Sequence, residues 1–198
     1  MDPVKGVDLA FWYILGISFI LLIGITVVMI YFVIRYRRSK NPVPTSDIRD
    51  NLNLEVVWTV IPTIIALTMF WVGWQSYIGL RNVPKDALEI DVAGQMYSWI
   101  FIYQNGKEVE NELVVPLGKA VKLNIESWDV IHSFYIPSYR IKVDAVKGMK
   151  TYAWFNADRE GEYDILCTEY CGVDHSYMLA KLKIVPEQEY LAWLEKED

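Results

Sequence analysis

The chain opens with two long apolar segments. Residues 9–34 carry no charged side chain, and residues 56–80 form a second uncharged run. An α-helix rises about 1.5 Å per residue, so each run is long enough to cross the roughly 30 Å hydrocarbon core of a bilayer. We therefore predict a transmembrane hairpin over 1–80, with spans at about 9–36 and 55–80.

The basic residues predict the orientation of this hairpin. One lysine, Lys5, precedes the first span, whereas the connecting region carries Arg35, Arg37, Arg38, Lys40 and Arg49. Excess Lys and Arg stay on the cytoplasmic side of a membrane. We expect the loop 37–54 to be cytoplasmic and both chain ends to be extracytoplasmic.

From residue 81 onward, apolar and polar residues alternate over short stretches, as is typical of β-strands. The predicted strands are 87–92, 97–103, 112–116, 119–126, 133–143, 150–156, 162–167 and 178–185, and a short helix follows Pro186. Short strands at this spacing predict a β-sandwich or barrel. We expect 81–198 to form one extracytoplasmic domain.

The charge of this second domain limits its partners. Residues 81–198 contain 13 Lys and Arg against 20 Asp and Glu, a formal charge of minus seven. A negative surface repels nucleic acid and attracts basic proteins. We expect no nucleic-acid partner, while docking of a basic protein and ordinary solubility both remain open.

One stretch concentrates the candidate chemistry. The segment Cys167-Thr-Glu-Tyr-Cys171-Gly-Val-Asp-His175-Ser-Tyr-Met178 holds both cysteines of the chain and one of its two histidines. Thiolate, imidazole and thioether are the soft and borderline donors that suit copper. The remaining histidine, His132, is the obvious further ligand. The segment therefore predicts a metal site.

The ligand inventory favours two metal ions. Two shared thiolates would leave His132 and Met178 for one ion, and His175 with a main-chain carbonyl for the other. A mononuclear blue-copper site needs only one cysteine. Zinc would accept two Cys and two His. A Cys167–Cys171 disulfide, or two buried thiols beside a core histidine, are the structural alternatives.

With these motifs the chain resembles subunit II of haem-copper cytochrome c oxidases, which carries the dinuclear copper centre CuA. The resemblance covers both spans, Glu55-x-x-Trp58-Thr-x-x-Pro62, Asp129-x-x-His132-Ser and the whole Cys-x-Glu-x-Cys-Gly-x-x-His-x-x-Met segment. It implies a membrane-anchored α+β protein whose second domain is a cupredoxin-like Greek-key β-sandwich.

The resemblance also implies a ligand set. Two copper ions would be held by His132, Cys167, Cys171, His175, Met178 and the carbonyl of Glu169. The Glu169 carboxylate would bind magnesium at the contact with subunit I. Asp129 and Asp144 fall on family positions at that same face of the domain.

A role in respiration follows from the resemblance. A separate cytochrome c would deliver electrons, because the sequence contains no Cys-x-x-Cys-His haem motif. The copper centre would pass them to haem in subunit I, where oxygen is reduced to water and protons are pumped. We expect a bacterial plasma membrane rather than a mitochondrial inner membrane, on the compact length of the chain.

Three residues outside the ligand set receive roles by resemblance. Glu55 falls at the entrance of the proton path through subunit I, although an acid there also complements the helix macrodipole. Tyr97 stands where the family usually has the tryptophan that receives the electron, and Trp99 beside it is a second candidate for electron entry. Because a tyrosine replaces the usual tryptophan at position 97, the identity of the electron donor and the way it docks stay open.

Two other functions fit the same fold. One is the CuA subunit of a nitric oxide reductase. The other is the copper-free subunit II of a quinol oxidase, which keeps the fold and loses the ligands. The intact ligand set of this chain opposes the quinol oxidase alternative.

Overall fold

A computed structural model describes residues 3–43 and 50–196. The chain divides into two compact units: Gly6–Tyr77 is one, and Ile78–Asp198 together with Met1–Lys5 is the other. Arg49, which was assigned to the basic loop, lies outside the described residues.

The first unit consists of two apolar helices, and both helices are long and apolar enough to cross a membrane. Helix α1 spans Pro3–Arg35 and α2 spans Leu52–Arg81. Within the unit, the Tyr13 hydroxyl donates to Thr68 Oγ1 at 2.9 Å. The apolar side chains of both helices are largely exposed, as expected of helices that face lipid or a membrane partner.

Both helices begin earlier than predicted. Helix α1 starts at Pro3 and not near residue 9, because proline is well tolerated in the first turn, where its missing N–H loses no helical hydrogen bond. Helix α2 starts at Leu52 and not at Glu55, because Asn51 caps it. The Asn51 side-chain oxygen accepts the Leu54 N–H at 3.0 Å.

The second unit is a β-sandwich, as predicted. Its strands are β1 Leu88–Gln95, β2 Ser98–Ile102, β3 Glu108–Glu110, β4 Glu112–Pro116, β5 Ala120–Ser127, β6 His132–Ile136, β7 Ile141–Ala145, β8 Thr151–Asn156, β9 Gly161–Cys167 and β10 Leu179–Val185. Helix α3, Glu187–Glu195, follows β10. The first sheet has the order β3-β2-β1-β5-β8, and the second has the order β4-β10-β9-β6-β7.

The structure differs from the predicted strands in two places. The predicted strand 133–143 is a hairpin of β6 and β7, joined by the 3₁₀ turn Pro137–Tyr139. Pro137 cannot donate to a ladder, and Arg140 adopts the left-handed conformation with φ 53°, so the chain reverses there. Strand β3 was not predicted, because three residues are too few to show a period.

The core lies between the two sheets. Strand β5 alternates buried and half-buried residues along its length, as a strand with one buried face should. The largest fully buried side chains include Trp99 and Phe101 from one sheet and Phe134 from the other. Phe134 contacts Trp99 edge-to-face at 5.0 Å between ring centroids, which joins the sheets beside the candidate site.

Candidate metal centre

Neighbouring strands of the second sheet bring the predicted ligands together. His132 is the first residue of β6, and Cys167 is the last residue of β9. Because β6 and β9 are antiparallel partners with Phe134 opposite Cys167, His132 lies two residues beyond that pair. The segment after Cys167 folds back, and the Cys167 N–H donates to the Met178 carbonyl at 3.3 Å.

The two thiols form the centre of the site. Cys167 and Cys171 are free and buried, and their sulfur atoms lie 3.9 Å apart. A disulfide needs about 2.05 Å, whereas one metal ion bonded to both sulfurs at about 2.3 Å each permits up to about 4.6 Å. The spacing therefore fits two thiolates that would bind a common metal ion and does not fit a disulfide.

Electrostatics point to a cation at this position. Burial, followed by the nearby Cys167, raises the pKa of the Cys171 thiol to about 11. Two thiolates in this environment would carry adjacent uncompensated charges. A coordinated metal ion removes the proton outright and balances the charge, so the thiol pair is suited to a metal.

An imidazole lies beside each thiol. His132 Nδ1 is 3.9 Å from Cys167 Sγ, and His175 Nδ1 is 3.5 Å from Cys171 Sγ. The candidate ligand atoms of His132, Cys167 and Cys171 all lie within 4.8 Å of one another, and His175 is not a member of that group. The two imidazoles therefore lie beside different sulfurs.

The two predicted weak ligands also reach the thiols. Met178 Sδ is 3.7 Å from Cys171 Sγ, and the Glu169 carbonyl oxygen is 3.3 Å from Cys167 Sγ. Met178 is fully buried. All six predicted copper ligands thus converge on one place, and their chemistry fits a pair of soft metal ions.

Asp129 fixes the orientation of the buried His132 ring. Its Oδ1 accepts His132 Nε2–H at 2.8 Å, which leaves Nδ1 free to face Cys167. Partial burial raises the pKa of the Asp129 carboxyl. Hydrogen bonds from His132 and from the Met96 and Val130 N–H groups lower this pKa by more, so the net shift is downward. Asp129 is therefore held ionised as an acceptor for the histidine.

Gly94 and Trp99 confine the same ring from the other sheet. A Cβ added to Gly94 would lie 3.0 Å from His132 Cδ2 and 3.0 Å from Trp99 Cζ3. Both rings are fully buried and cannot turn aside without disturbing the core. Sequence reasoning missed Gly94, because one glycine in a strand carries no visible signal.

Tyr97 touches the ligand loop directly. Its hydroxyl oxygen accepts the Val173 N–H at 3.0 Å. A Cβ on Gly172 would lie 2.5 Å from that oxygen, and Gly172 has φ 139°, so glycine alone suits this approach. Tyr97 is half-buried and lies beside the residue that follows Cys171, whereas Trp99 is fully buried.

Tyr170 is a second aromatic residue at the site that sequence reasoning missed. Its side chain is 75% exposed, and its ring centroid lies 5.8 Å from that of His175. Its position between Glu169 and Cys171 was the available signal. The surface of the site therefore presents two tyrosines, Tyr97 against Gly172 and Val173 and Tyr170 beside His175.

The remaining predicted residues lie apart from the thiol pair. Glu169 points an exposed side chain outward while its carbonyl faces the site. Asp144 accepts the Ser133 hydroxyl at 2.7 Å. Glu55 is exposed in the first turn of α2. Within the described residues, none of these carboxylates belongs to a metal-ligand group.

The fold and the donor set define a class of protein: a membrane-anchored, cupredoxin-like metalloprotein. Two family models match the chain. The model of the cytochrome c oxidase subunit II periplasmic domain matches residues 67–185. The model of the cytochrome c oxidase subunit II transmembrane domain matches residues 3–75. The chain therefore belongs to the cytochrome c oxidase subunit II family and is a subunit of an oxidoreductase complex. Family membership implies copper binding.

Individual relatives agree with the family models. Cytochrome c oxidase subunit 2 of Cereibacter sphaeroides is 29% identical over 93% of this chain and 73% of that protein. The alternative cytochrome c oxidase subunit 2 of Bradyrhizobium diazoefficiens is 31% identical over 96% of this chain and 78% of that protein.

Two solved structures share the β domain. The periplasmic domain of cytochrome oxidase subunit II from Bradyrhizobium japonicum is 33% identical, with a TM-score of 0.55 over 58% of this chain and 95% of that one. A subunit II periplasmic domain in a mixed disulfide with a thioredoxin-like protein is 30% identical, with a TM-score of 0.52 over 58% and 92%.

Gly94→Ala tests the confinement of His132. We expect copper affinity to fall about 10- to 100-fold, because the added methyl group displaces the His132 ring while leaving every ligand present. Competition with a copper chelator measures the affinity. Gly16→Ala, at a glycine with open space around it, is the matched control. Unchanged affinity in Gly94→Ala would mean that the strand imposes no constraint on the ring.

Proposed function

We propose that this chain accepts electrons from a separate cytochrome c at a dinuclear CuA centre and delivers them to haem in subunit I of a terminal oxidase. Oxygen is reduced to water in subunit I, with coupled proton pumping. When bound, the copper pair supplies one-electron exchange at a potential that the protein sets. The β domain and both chain ends lie outside the cytoplasm, and the membrane is a bacterial plasma membrane.

One observation carries this proposal: two buried thiols 3.9 Å apart have a different imidazole beside each of them. A mononuclear blue-copper site would leave one of the two cysteines without a role. Zinc would accept this count of Cys and His, yet it would not need Met178 Sδ at 3.7 Å from Cys171. The donor set therefore favours two coppers.

The protein holds these ligands almost rigidly. His132 and Cys167 belong to strands, Asp129 fixes the His132 ring, and Met178 is buried where β10 begins. Ligands fixed by a sheet change position little when the charge at the site changes. This rigidity favours fast electron transfer, because little reorganisation accompanies each step.

Copper content and electron paramagnetic resonance of the purified chain test the proposal. We expect two coppers per chain and a mixed-valence spectrum delocalised over both ions, because Cys167 and Cys171 would each be shared by the two ions. Cys171→Ser should abolish that spectrum, whereas Thr168→Ala, an exposed change in the same loop, should preserve it. A single copper or a zinc ion in the wild-type chain would falsify the dinuclear centre.

Electron input is proposed to occur through Tyr97. Its half-buried ring approaches Gly172, next to Cys171, and its hydroxyl accepts the Val173 N–H, so an electron would cross one hydrogen bond and a short stretch of backbone to Cys171. Trp99 is fully buried and contacts the His132 ring at 5.9 Å between centroids. Trp99 is therefore proposed as an internal contact of the copper ligand and not as a surface that meets the donor.

Replacements of Tyr97 test this assignment. We expect Tyr97→Trp to keep the rate of copper reduction by cytochrome c within about threefold and Tyr97→Ala to slow it at least about tenfold, because the aromatic path is lost. Stopped-flow absorbance measures the rate, and Tyr170→Ala is the comparison. Equal rates in both Tyr97 variants, with slowing in Tyr170→Ala, would move electron input to Tyr170.

Glu55 is proposed to stand at the proton-path entrance of subunit I. Its exposed carboxylate in the first turn of α2 is available to a neighbouring subunit, although it also complements the helix macrodipole. The exposed Glu169 carboxylate is likewise proposed to bind magnesium at the contact with subunit I. Asp144, bonded to Ser133, is proposed to lie on that same face.

Glu55→Ala separates the two roles of this acid. In the assembled oxidase we expect oxygen turnover to fall about tenfold while copper reduction keeps its rate, because proton uptake and electron input are separate steps. Oxygen consumption and stopped-flow reduction measure the two quantities. Asp50→Asn, just before the helix, is the control. Full turnover in Glu55→Ala would leave Glu55 only its interaction with the helix macrodipole.

A further inference from the structure

A cavity of 710 Å³ lies on the outer face of the first sheet, away from the metal centre. Its floor is built from two rows of neighbouring residues across β1, β5 and β8. One row contains Glu89 and Lys122, and the other contains Asp91, Asn124 and Tyr152. The segment 81–85, which follows helix α2, forms its rim.

The cavity is positive on a domain that is otherwise acidic. Four basic side chains line it, Arg81, Lys85, Lys122 and Lys150, against the carboxylates of Glu89 and Asp91, which gives a formal charge of plus two. The surrounding domain, 81–198, carries minus seven. A local reversal of charge of this kind attracts anions.

The carboxylates on the floor are already engaged. Lys122 Nζ donates to Glu89 Oε1 at 3.1 Å, and Asn124 Nδ2 donates to Asp91 Oδ1 at 2.9 Å. Hydrogen bonds from Lys122 and Asn124 lower the pKa of Glu89, so its carboxylate stays ionised and paired with the Lys122 ammonium group. Within residues 3–43 and 50–196, Arg81 and Lys85 form no ion pair, so two cations remain available for a ligand.

Aromatic side chains hold the rim in place. The Arg81 guanidinium stacks over the Tyr152 ring, 4.6 Å from its centroid, and the Tyr152 hydroxyl donates to the Arg81 carbonyl at 3.4 Å. The Trp154 indole N–H donates to the carbonyls of Gly79 and Leu80 at 3.2 and 3.1 Å. A stacked guanidinium retains its N–H groups for bidentate bonding to an oxyanion.

The position of the rim in the chain identifies the source of such an anion. Arg81 is the last residue of α2, which contains the second candidate membrane span. The end of a span lies at the level of the lipid headgroups, where Trp and Tyr are enriched. Tyr152 and Trp154 contact that end of the helix, so the headgroup phosphates are the nearest abundant anions.

We propose that this cavity binds a phosphate group, supplied by the headgroup of an anionic membrane lipid, through Arg81 and Lys85. Free phosphate offers the same chemistry from solution. The site is independent of the copper centre, since it uses none of the copper ligands.

Lipid retention by the full chain in detergent tests the proposal. Native mass spectrometry would count bound phosphatidylglycerol and phosphatidylcholine, with inorganic phosphate added in a separate arm. We expect tighter binding of phosphatidylglycerol, weakened about tenfold by Arg81→Gln with Lys85→Gln, because two charge-assisted contacts are lost. The control removes two exposed cations from the second sheet, Lys142→Gln with Lys181→Gln, and should change binding less than twofold.

Each other result has a fixed meaning. Displacement of the lipid by millimolar inorganic phosphate would support the phosphate site and make solution its source. Equal losses in the two double variants would overturn the proposal, because binding would then follow net charge alone. Unchanged binding in the Arg81 and Lys85 variant would overturn it as well. Near-ultraviolet circular dichroism of each variant verifies that the fold is kept.

Discussion

The site depends on two buried thiols whose sulfurs lie 3.9 Å apart. Such a pair is costly to ionise, as the raised pKa of Cys171 indicates, and a bound cation removes that cost. The other donors are arranged around this pair, with His132 beside one sulfur and His175 beside the other. The thiols and the His132 ring are buried in the core, which restricts the positions that these side chains can adopt.

The first sheet contributes to the metal centre without supplying a ligand. Gly94 leaves room for the His132 ring, and Trp99 packs against that ring from the side. Tyr97 reaches across to the loop backbone at Val173. The β-sandwich thus confines the centre from both of its layers, whereas the ligands come from one layer and its loop.

The sequence limited the positions of the candidate ligands more tightly than it limited the ends of the strands around them. The ligand loop is short and local, so the spacing from Cys167 to Met178 already limits how far apart the donors can lie. The ends of strands depend instead on the backbone conformation of one or two residues. The turn at Pro137 and the left-handed Arg140 divide one predicted strand into two, and no hydrophobic period reveals such a reversal.

By itself the sequence determined the two apolar spans, the β class of the second domain and the set of soft donors, because hydropathy, alternation and ligand chemistry are local properties. Only the tertiary structure decided which atoms meet. Asp129 accepts a hydrogen bond from His132 Nε2, Gly172 lies against the Tyr97 hydroxyl, and the Arg81 guanidinium stacks over the Tyr152 ring. These contacts join residues from different strands and loops, and their distances depend on strand register and packing, which no single segment encodes.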